Sequence, residues 1–484
     1  MNPPRRPHRG TAATAAAFVL LTGLLAMAVP APATASVGGV GVGAVALPLV
    51  GCEAAASRVT LTASARLDRR CTYAGFDITA SNVTLDCRGA TIGGPEASGP
   101  RGIEIRTPVT EALAHVTVRN CRVEGAFTNS LRVTRDGFRT LGQGEEFLHP
   151  TSDIVVEDST FTGSRGVGVY VDGYVSGVTI RRNVVREAGS SGIYLETGSK
   201  GSTVTGNLIV DNGFRENGPG GQAFTFNGVR LWFWGVGREG ISVDGSYENV
   251  IRANRFEGNA NGGVLLYKNC GEYPDSGRYF ERRDHATRNR IEGNTFTGGR
   301  NGVWVGSRMG ENTLPMACTD PAYVTGPLLR VVLDRAEANV VRGNAFHDVT
   351  YGIRVEDDDT VVSDNTFTGS GPDRHAVVIG TPYRTDALDR PVARTVLTGN
   401  RSTIVGNTHP YRWVHGQTAT VVSRNRALRR EVGLCEGRAL PRQSLIFVIA
   451  VAPLPADGTP PPAPDLDVPT VGALDPCPTD PGLD

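Results

Sequence analysis

Residues 178–198 read VTIRRNVVREAGSSGIYLETG, and residues 249–269 repeat the same plan as NVIRANRFEGNANGGVLLYKN. Each copy contains a β-branched alternating run, an asparagine, a short strand, a glycine-containing turn and a strand that starts Gly-Ile or Gly-Val. Apolar strands of three to five residues cannot bury a face alone, but stacked copies share one continuous core. The repeat therefore predicts a solenoid of short parallel strands.

An asparagine recurs at the same place in every copy. The eight positions are Asn183, Asn207, Asn254, Asn294, Asn344, Asn365, Asn400 and Asn425. Amides that fall at one turn of every rung can hydrogen-bond along the stack. The 61 glycines and the aromatic content of 7% suit the tight corners of a solenoid better than a sandwich or an α/β fold. A leucine-rich repeat is disfavoured because its leucine spacing is absent.

The asparagine ladder and the repeated Gly-Ile/Val strand resemble the pectin-lyase-like superfamily over roughly residues 52–430. The resemblance implies an all-β, right-handed parallel β-helix of about nine or more rungs with an N-terminal cap. It implies no single activity, because the superfamily contains polysaccharide lyases, epimerases, glycoside hydrolases and non-catalytic proteins.

The two ends of the chain differ from the repeat. Residues 1–35 combine early arginines, an apolar stretch and a small-residue cleavage site, which predicts a signal peptide and a secreted protein. No later stretch is long enough for a membrane span. The predicted organisation is a signal peptide at 1–35, an N-terminal segment and cap at 36–78, a β-helix with loop insertions at 79–430, and a C-terminal edge strand with a Pro-rich tail at 431–484.

Charge and cysteine content narrow the partners and the compartment. The formal net charge is zero, so no overall field favours nucleic acid or anionic lipid. Eight cysteines in an exported chain predict disulfides. Proximity in sequence favours Cys52–Cys71, Cys87–Cys121, Cys270–Cys318 and Cys435–Cys477, although sequence does not fix the connectivity. The oligomeric state is not predicted.

The insertions cluster around the Gly-Ile/Val strand of each copy, which we call the site strand. Long loops follow it at 137–150, 270–286, 309–336 and 381–390, and the longest loop before it covers 213–237. Insertions on both sides of one sheet form the walls of a groove, and such insertions tend to lie on the binding face. We therefore expect a polysaccharide to bind along this sheet.

Strand alternation selects the side chains that point outward from the site strands. Asp172, Glu196 and Asp244 follow three consecutive site strands, about 4.8 Å from rung to rung. Like charges so close require a cation, a shared proton, or the basic Lys268 and Arg308 just past later strands. Lys268 is expected to be exposed on the groove. The predicted substrate-binding residues are Arg106, Arg132, Arg135, Tyr170, Tyr194, Tyr267 and Trp304.

Two reactions fit these residues. In a lyase, Asp172, Glu196 and Asp244 would hold Ca²⁺ against a uronate carboxylate, with Lys268 or Arg308 as the base. The calcium-dependent polysaccharide lyases of the superfamily are similar in pairing acidic ligands with basic catalytic residues, but none of their diagnostic motifs is present.

In a glycoside hydrolase, two of the same carboxylates would act as acid and base. Adjacent rungs such as Glu196 and Asp244 would favour retention, and Asp172 with Asp244 would favour inversion. An epimerase is disfavoured because the Asp-Pro-His motif of mannuronan epimerases is missing. A non-catalytic carbohydrate-binding or structural β-helix is the third alternative.

Overall fold

The computed structural model has two units, Met1–Ala46 and Leu47–Asp484. It describes residues 46–226, 229–269, 280–306, 322–327, 330–332, 335–381, 384–385, 388–437 and 448–462. The predicted signal peptide, Arg308, and the cysteines Cys270, Cys318 and Cys477 lie outside these residues. No helix within the described ranges is long and apolar enough to cross a membrane.

Parallel strands stack in three sheets, which confirms the predicted β-helix. The first sheet has thirteen strands, so the coil exceeds the nine predicted rungs. In stacking order they are Leu49–Val50, Ala65–Leu67, Thr84–Asp86, Leu113–Arg119, Thr151–Glu157, Val175–Arg181, Thr203–Thr205, Val250–Arg252, Arg290–Glu292, Val340–Arg342, Val361–Ser363, Val396–Thr398 and Val421–Ser423.

The second sheet follows the repeated asparagine, and the third, which we call the site sheet, contains the site strands. Two long strands, Thr91–Pro108 and Arg122–Asp136, bend through both sheets. The second sheet also contains Thr72–Tyr73, Thr160–Thr162, Val184–Arg186, Leu208–Val210, Arg255–Glu257, Thr295–Thr297, Ala345–His347, Thr366–Ser370, Arg401–Val405 and Arg426–Ala427, with Arg430–Glu431 antiparallel at its end. The site sheet also contains Val59–Leu61, Phe76–Ile78, Val167–Val171, Ile193–Leu195, Glu239–Asp244, Gly262–Tyr267, Asn301–Val305, Tyr351–Val355, His375–Ile379, Tyr411–Trp413 and Cys435–Glu436.

The core fills the coil with stacked apolar side chains, because alternate residues of every strand point inward. In the second sheet Phe256, Phe296, Phe346 and Phe367 stack with ring centroids 4.6 to 4.8 Å apart. Burying a side chain of this size contributes about 1.5–3 kcal/mol. A rung that cannot bury a face alone is therefore stabilised by its neighbours.

All eight repeated asparagines stack at one turn, as the sequence predicts. The Asn254 side-chain oxygen accepts hydrogen bonds from the backbone N–H and the Nδ2 of Asn207, both at 2.9 Å, and the pattern continues to Asn425. The residue before each asparagine is left-handed, with φ from 52° at Ala253 to 68° at Gly399. This left-handed residue bends the chain into the corner, and glycine occupies it in half of the rungs because it adopts positive φ without strain.

Two predicted disulfides are confirmed. Cys52 is bonded to Cys71 and Cys87 to Cys121. Cys435 is also disulfide-bonded. The predicted Cys270–Cys318 and Cys435–Cys477 pairings involve residues outside the described ranges and stay predictions.

Small antiparallel sheets form within and beside the insertions. Gln222–Phe226, Val229–Gly235 and Val448–Pro453 make one of them, so a strand from the predicted C-terminal region lies at its edge. The middle strand leads directly to the site strand Glu239–Asp244. The other short elements are Ala322–Thr325 with Arg330–Val332, Val392–Ala393 with Gln417–Thr418, and the 3₁₀ turns Cys52–Ala54 and Phe138–Thr140.

Candidate functional site

The strand pairing places the outward side chains of the site sheet in the predicted columns. One column contains Arg132, Tyr170, Tyr194, Ser242, Leu265, Trp304 and Arg354. The next outward position pairs Asp244 with Tyr267. The alternation read from the repeat therefore describes this face correctly.

The face is covered, whereas the sequence predicted an open groove. Glu196 is 4% exposed, Asp244 is fully buried, and Lys268 is 1% exposed. Phe280 and Arg282, from one insertion, lie over this part of the sheet, and Phe280 packs edge-on against Phe138 of another insertion at 5.2 Å. The two insertions contact one another because these apolar side chains pack together.

The three predicted carboxylates divide into a single acid and a pair. Asp172 accepts hydrogen bonds from Arg132, with Nε at 2.6 Å. Glu196 and Asp244 share Arg282, whose Nη1 lies 2.9 Å from Glu196 Oε1 and 2.7 Å from Asp244 Oδ2. The compensating cation is therefore an arginine from the insertion, which the sequence analysis did not single out.

Neutral donors complete the ligation of the paired acids. Tyr170 donates its hydroxyl to Glu196, and Tyr194 donates to Asp244 at 2.6 Å. Asn269 donates to Asp244 through its backbone N–H at 2.7 Å and its amide at 2.8 Å. The two tyrosine rings stack 5.1 Å apart and nearly parallel. The carboxylates are thus held in fixed positions by charge-assisted hydrogen bonds.

Burial governs the protonation of this cluster. Burial raises the pKa of Glu196, with a contribution from the nearby Asp244 charge, against the opposing attraction of Arg282. Burial acts to lower the pKa of Arg282, but Glu196 and Asp244 outweigh it, so that pKa lies above its usual value. The pKa values of Tyr170 and Tyr194 are raised by burial and by the adjacent carboxylates, so both phenols are donors.

A fourth buried acid, Glu239, lies at the start of the same site strand and was missed by the sequence analysis. Its Oε1 accepts hydrogen bonds from Ser242 and from Tyr267 at 3.0 Å, and it lies 3.4 Å from Arg238. Its Oε2 is buried and has no hydrogen-bond partner among the described residues. The signal in the sequence is the pair of charged residues Arg238 and Glu239, which comes just before the alternating apolar residues of this strand.

The other predicted site residues have varied surroundings. Lys268 is buried and not exposed as expected, and its charge opposes the burial that raises the pKa of Asp284. Arg135 is buried and donates to the backbone oxygens of Glu146 and Val109. Arg106 forms an ion pair with Asp136 at 3.1 Å. The ring of Trp304 lies beneath the guanidinium of Arg354. Arg308 is outside the described residues.

The acids do not fit a calcium ion. Ca²⁺ takes six to eight oxygen ligands, but Arg282 occupies the position between Glu196 and Asp244, and Arg132 engages Asp172. In the described part of the chain, side chains able to hold a metal converge only at Cys52, Asp68 and Cys71, where both cysteines are disulfide-bonded. We assign no step to a metal.

One protein-family model agrees with the fold. The family model described as a right-handed β-helix region matches residues 69–236. No curated protein sequence matches this chain. Similar solved structures include the Azotobacter vinelandii mannuronan C-5 epimerase AlgE4 A-module, with 13% identity, 78% of this chain and 89% of that chain covered, and a TM-score of 0.44.

Two other structures are similar at the same level. An alginate lyase from Paenibacillus sp. str. FPU-7 has 13% identity, 75% and 99% coverage of the two chains and a TM-score of 0.41. The catalytic domain of a GH87 α-1,3-glucanase in complex with nigerose has 11% identity, 80% and 64% coverage and a TM-score of 0.41. Similarity at this level carries no information on the reaction of this chain. The strand topology and the family model together establish that the chain is a right-handed parallel β-helix protein.

Proposed function

We propose that this protein cleaves a polysaccharide by glycoside hydrolysis at Glu196 and Asp244. The observation that carries the proposal is that two buried carboxylates share one nitrogen of Arg282, at 2.9 and 2.7 Å. Burying a network of charges costs desolvation free energy that the ion pairs often fail to recover. The presence of such a network therefore points to a role other than stabilising the fold. Buried groups with shifted pKa values that converge on one point are typical of catalytic sites.

The geometry favours retention of configuration. The Glu196 and Asp244 oxygens can be no farther apart than their two bonds to Arg282 Nη1 allow. This limit fits the carboxyl separation of about 5–5.5 Å in retaining enzymes better than the wider separation in inverting enzymes.

The two acids take different roles because their surroundings differ. Glu196, whose pKa is raised, donates a proton to the glycosidic oxygen as the sugar–oxygen bond breaks. Asp244, oriented by Asn269 and Tyr194, forms an ester with the anomeric carbon. A water molecule then cleaves the ester and returns a proton to Glu196, which restores both groups.

Substrate entry requires the cover to move. Glu196 and Asp244 are almost completely buried, Arg282 contacts both of them, and the Arg282 guanidinium lies 5.0 Å from the Phe280 ring. We propose that the segment carrying these two residues shifts when a sugar chain binds, and that Arg282 then turns to the substrate. Return of the segment over the bound sugar would then exclude water and complete the active site.

Elimination is a second candidate because a phenol lies beside the acids. Tyr194 and Asn269 both contact Asp244 beside Arg282, so a cation, an amide, a phenol and a carboxylate lie within one cluster. Arg282 and Asn269 would neutralise a uronate carboxylate, Asp244 would take the proton α to it, and the Tyr194 hydroxyl would protonate the leaving oxygen, without a metal. Under this mechanism the product is an unsaturated sugar.

One experiment separates these functions. The purified protein is incubated with a panel of neutral and acidic polysaccharides while absorbance near 232 nm and reducing ends are recorded. Hydrolysis raises reducing ends alone, whereas elimination raises both. Glu196→Gln should lower the rate by about 10²–10⁴-fold, and Glu248→Gln, at an exposed ion pair with Arg288, should retain it. An unchanged rate for Glu196→Gln would refute the assignment.

The compartment and partners follow the sequence. We propose that the signal peptide at residues 1–35 exports the protein, and that a polysaccharide, rather than nucleic acid or membrane, is its partner. N-terminal sequencing of protein from culture medium should find a start near Ser36. Recovery of the full-length chain from the cytoplasm alone would contradict this.

A further inference from the structure

A second cluster of charged and aromatic residues lies farther along the outward face of the site sheet. Arg354 is three strand pairings from Ser242, through Leu265 and Trp304. At about 4.8 Å per strand, the two clusters are about 14 Å apart along the β-helix axis. The second cluster is therefore separate from the proposed catalytic acids but lies on the same face.

Arg354 is buried with unused hydrogen-bonding capacity. Its guanidinium lies 4.0 Å from the Trp304 ring centroid, and its Nη2 is 2.5 Å from Glu356. Its Nε is buried without a hydrogen-bond partner among the described residues. A buried donor without an acceptor is costly, so this geometry favours an additional acceptor.

Arg300 adds a second guanidinium without a matching acid. It is partly buried at the corner before strand Asn301–Val305, and no carboxylate in the described ranges pairs with it. Burial, together with repulsion from Arg354, lowers the pKa of Arg300 to about 10. The backbone oxygen of Arg300 accepts a hydrogen bond from the Tyr351 N–H at 2.8 Å, so Arg300 lies next to Tyr351, whose ring Arg354 contacts, whereas Glu356 is already engaged by Arg354.

Two aromatic rings lie beside Arg354, the first being that of Trp304. Arg354 also lies 5.7 Å from the Tyr351 ring, and that ring stacks on His375 at 5.8 Å. Apolar walls with a few converging polar groups are typical of ligand sites. Arginine presents a fork of donors that matches a carboxylate or a sulfate.

We propose that Arg300 and Arg354 form a subsite for an anionic substituent, a carboxylate or a sulfate ester, on the polysaccharide. This inference rests on the proposed function, and it names the substrate class of that site. The bound group belongs to a sugar ring several units away from the bond that is cleaved, because the two clusters are about 14 Å apart at the usual strand spacing. The substrate is therefore an acidic polysaccharide that runs along the β-helix axis.

The test is calorimetric titration in a Glu196→Gln background, so that no probe is cleaved. The probes are hexagalacturonate, a sulfated carrageenan hexasaccharide, and hexagalacturonate whose carboxyl groups are reduced to alcohols. We expect Arg300→Gln to raise the Kd for one anionic probe about tenfold, which corresponds to about 1.4 kcal/mol. The reduced probe should be unaffected, and Arg300→Lys should recover part of the affinity.

Arg342→Gln is the matched control, because Arg342 is exposed at the end of a strand of the first sheet. Preference for hexagalacturonate would identify a carboxylate site, and preference for the carrageenan probe a sulfate site. If no anionic probe binds more tightly than the reduced probe, or if Arg300→Gln and Arg342→Gln behave alike, the subsite proposal is overturned. If the parent protein cleaves no polysaccharide but Arg300→Gln still raises the Kd for the anionic probe, only the hydrolase assignment is overturned.

Discussion

Arg282 Nη1 lies 2.7 Å from Asp244 Oδ2, where Asp244 is fully buried and the Arg282 side chain is 15% exposed. The same nitrogen contacts Glu196, so one arginine is shared by two acids. In a low-dielectric environment such an arrangement depends on the arginine. The pair therefore makes the stability of the insertion and the protonation of the acids interdependent.

Removing Arg282 should make stability strongly dependent on pH. In Arg282→Met two buried carboxylates remain unpaired, and breaking a buried ion pair costs about 3–5 kcal/mol. Arg282 opposes the burial that raises the pKa of Glu196, so without the cation this pKa rises further. The penalty of the buried charge is therefore largest at high pH and shrinks as Glu196 takes up a proton. Thermal melts at about pH 8 and about pH 4.5 should show the larger loss of Tm at the higher pH.

Arg288→Met is the control for this experiment. Arg288 pairs with Glu248 at 3.1 Å, but both side chains are more than half exposed. An exposed pair contributes little to stability. An equal loss of Tm for Arg282→Met at both pH values would show that the acids do not depend on the arginine.

Glu196→Gln should lower kcat by about 10²–10⁴-fold, the usual contribution of a positioned general acid. The amide keeps an oxygen for the Tyr170 hydroxyl but cannot donate a proton as an acid does. Because the pKa of Glu196 is raised and its protonated form is active, parent activity should fall as pH rises through that pKa. The kcat of Glu196→Gln should not fall in this way as pH rises. If the residual activity of the variant shows the same alkaline fall, Glu196 is not the general acid.

Chelation should leave activity unchanged. Arg282 occupies the position between Glu196 and Asp244 that a calcium ion would need. Cleavage assays before and after dialysis against EDTA should therefore give the same rate. Loss of activity that Ca²⁺ restores would mean that the insertion carrying Arg282 withdraws from the acids in the working enzyme.

The repeat made the fold and the outward columns predictable. Period-two alternation and the asparagine spacing are local properties, so Asn183 through Asn425 and the Tyr170–Tyr194 column could be assigned from sequence. Arg282 could not, because its insertion has no periodicity and nothing in the sequence distinguishes Arg282 from Arg283. The burial of Lys268 depends on insertions that fold over the sheet, which is a tertiary effect.

The asparagine ladder gives the last prediction, on stability. Asn254→Ala removes the acceptor for the Asn207 backbone N–H at 2.9 Å and the donor to the Val204 oxygen at 2.9 Å. Each buried group left without a partner costs about 1–3 kcal/mol, and Asn254 and Asn207 are 1% and 2% exposed. Because each rung contacts only its neighbours, the loss should weaken the middle of the coil first.

Thr297→Ala, exposed on the second sheet, is the control. Urea unfolding followed by far-ultraviolet circular dichroism should show a clearly lower midpoint for Asn254→Ala than for Thr297→Ala. Equal midpoints would mean that the stacked asparagines occupy the turn without stabilising the fold.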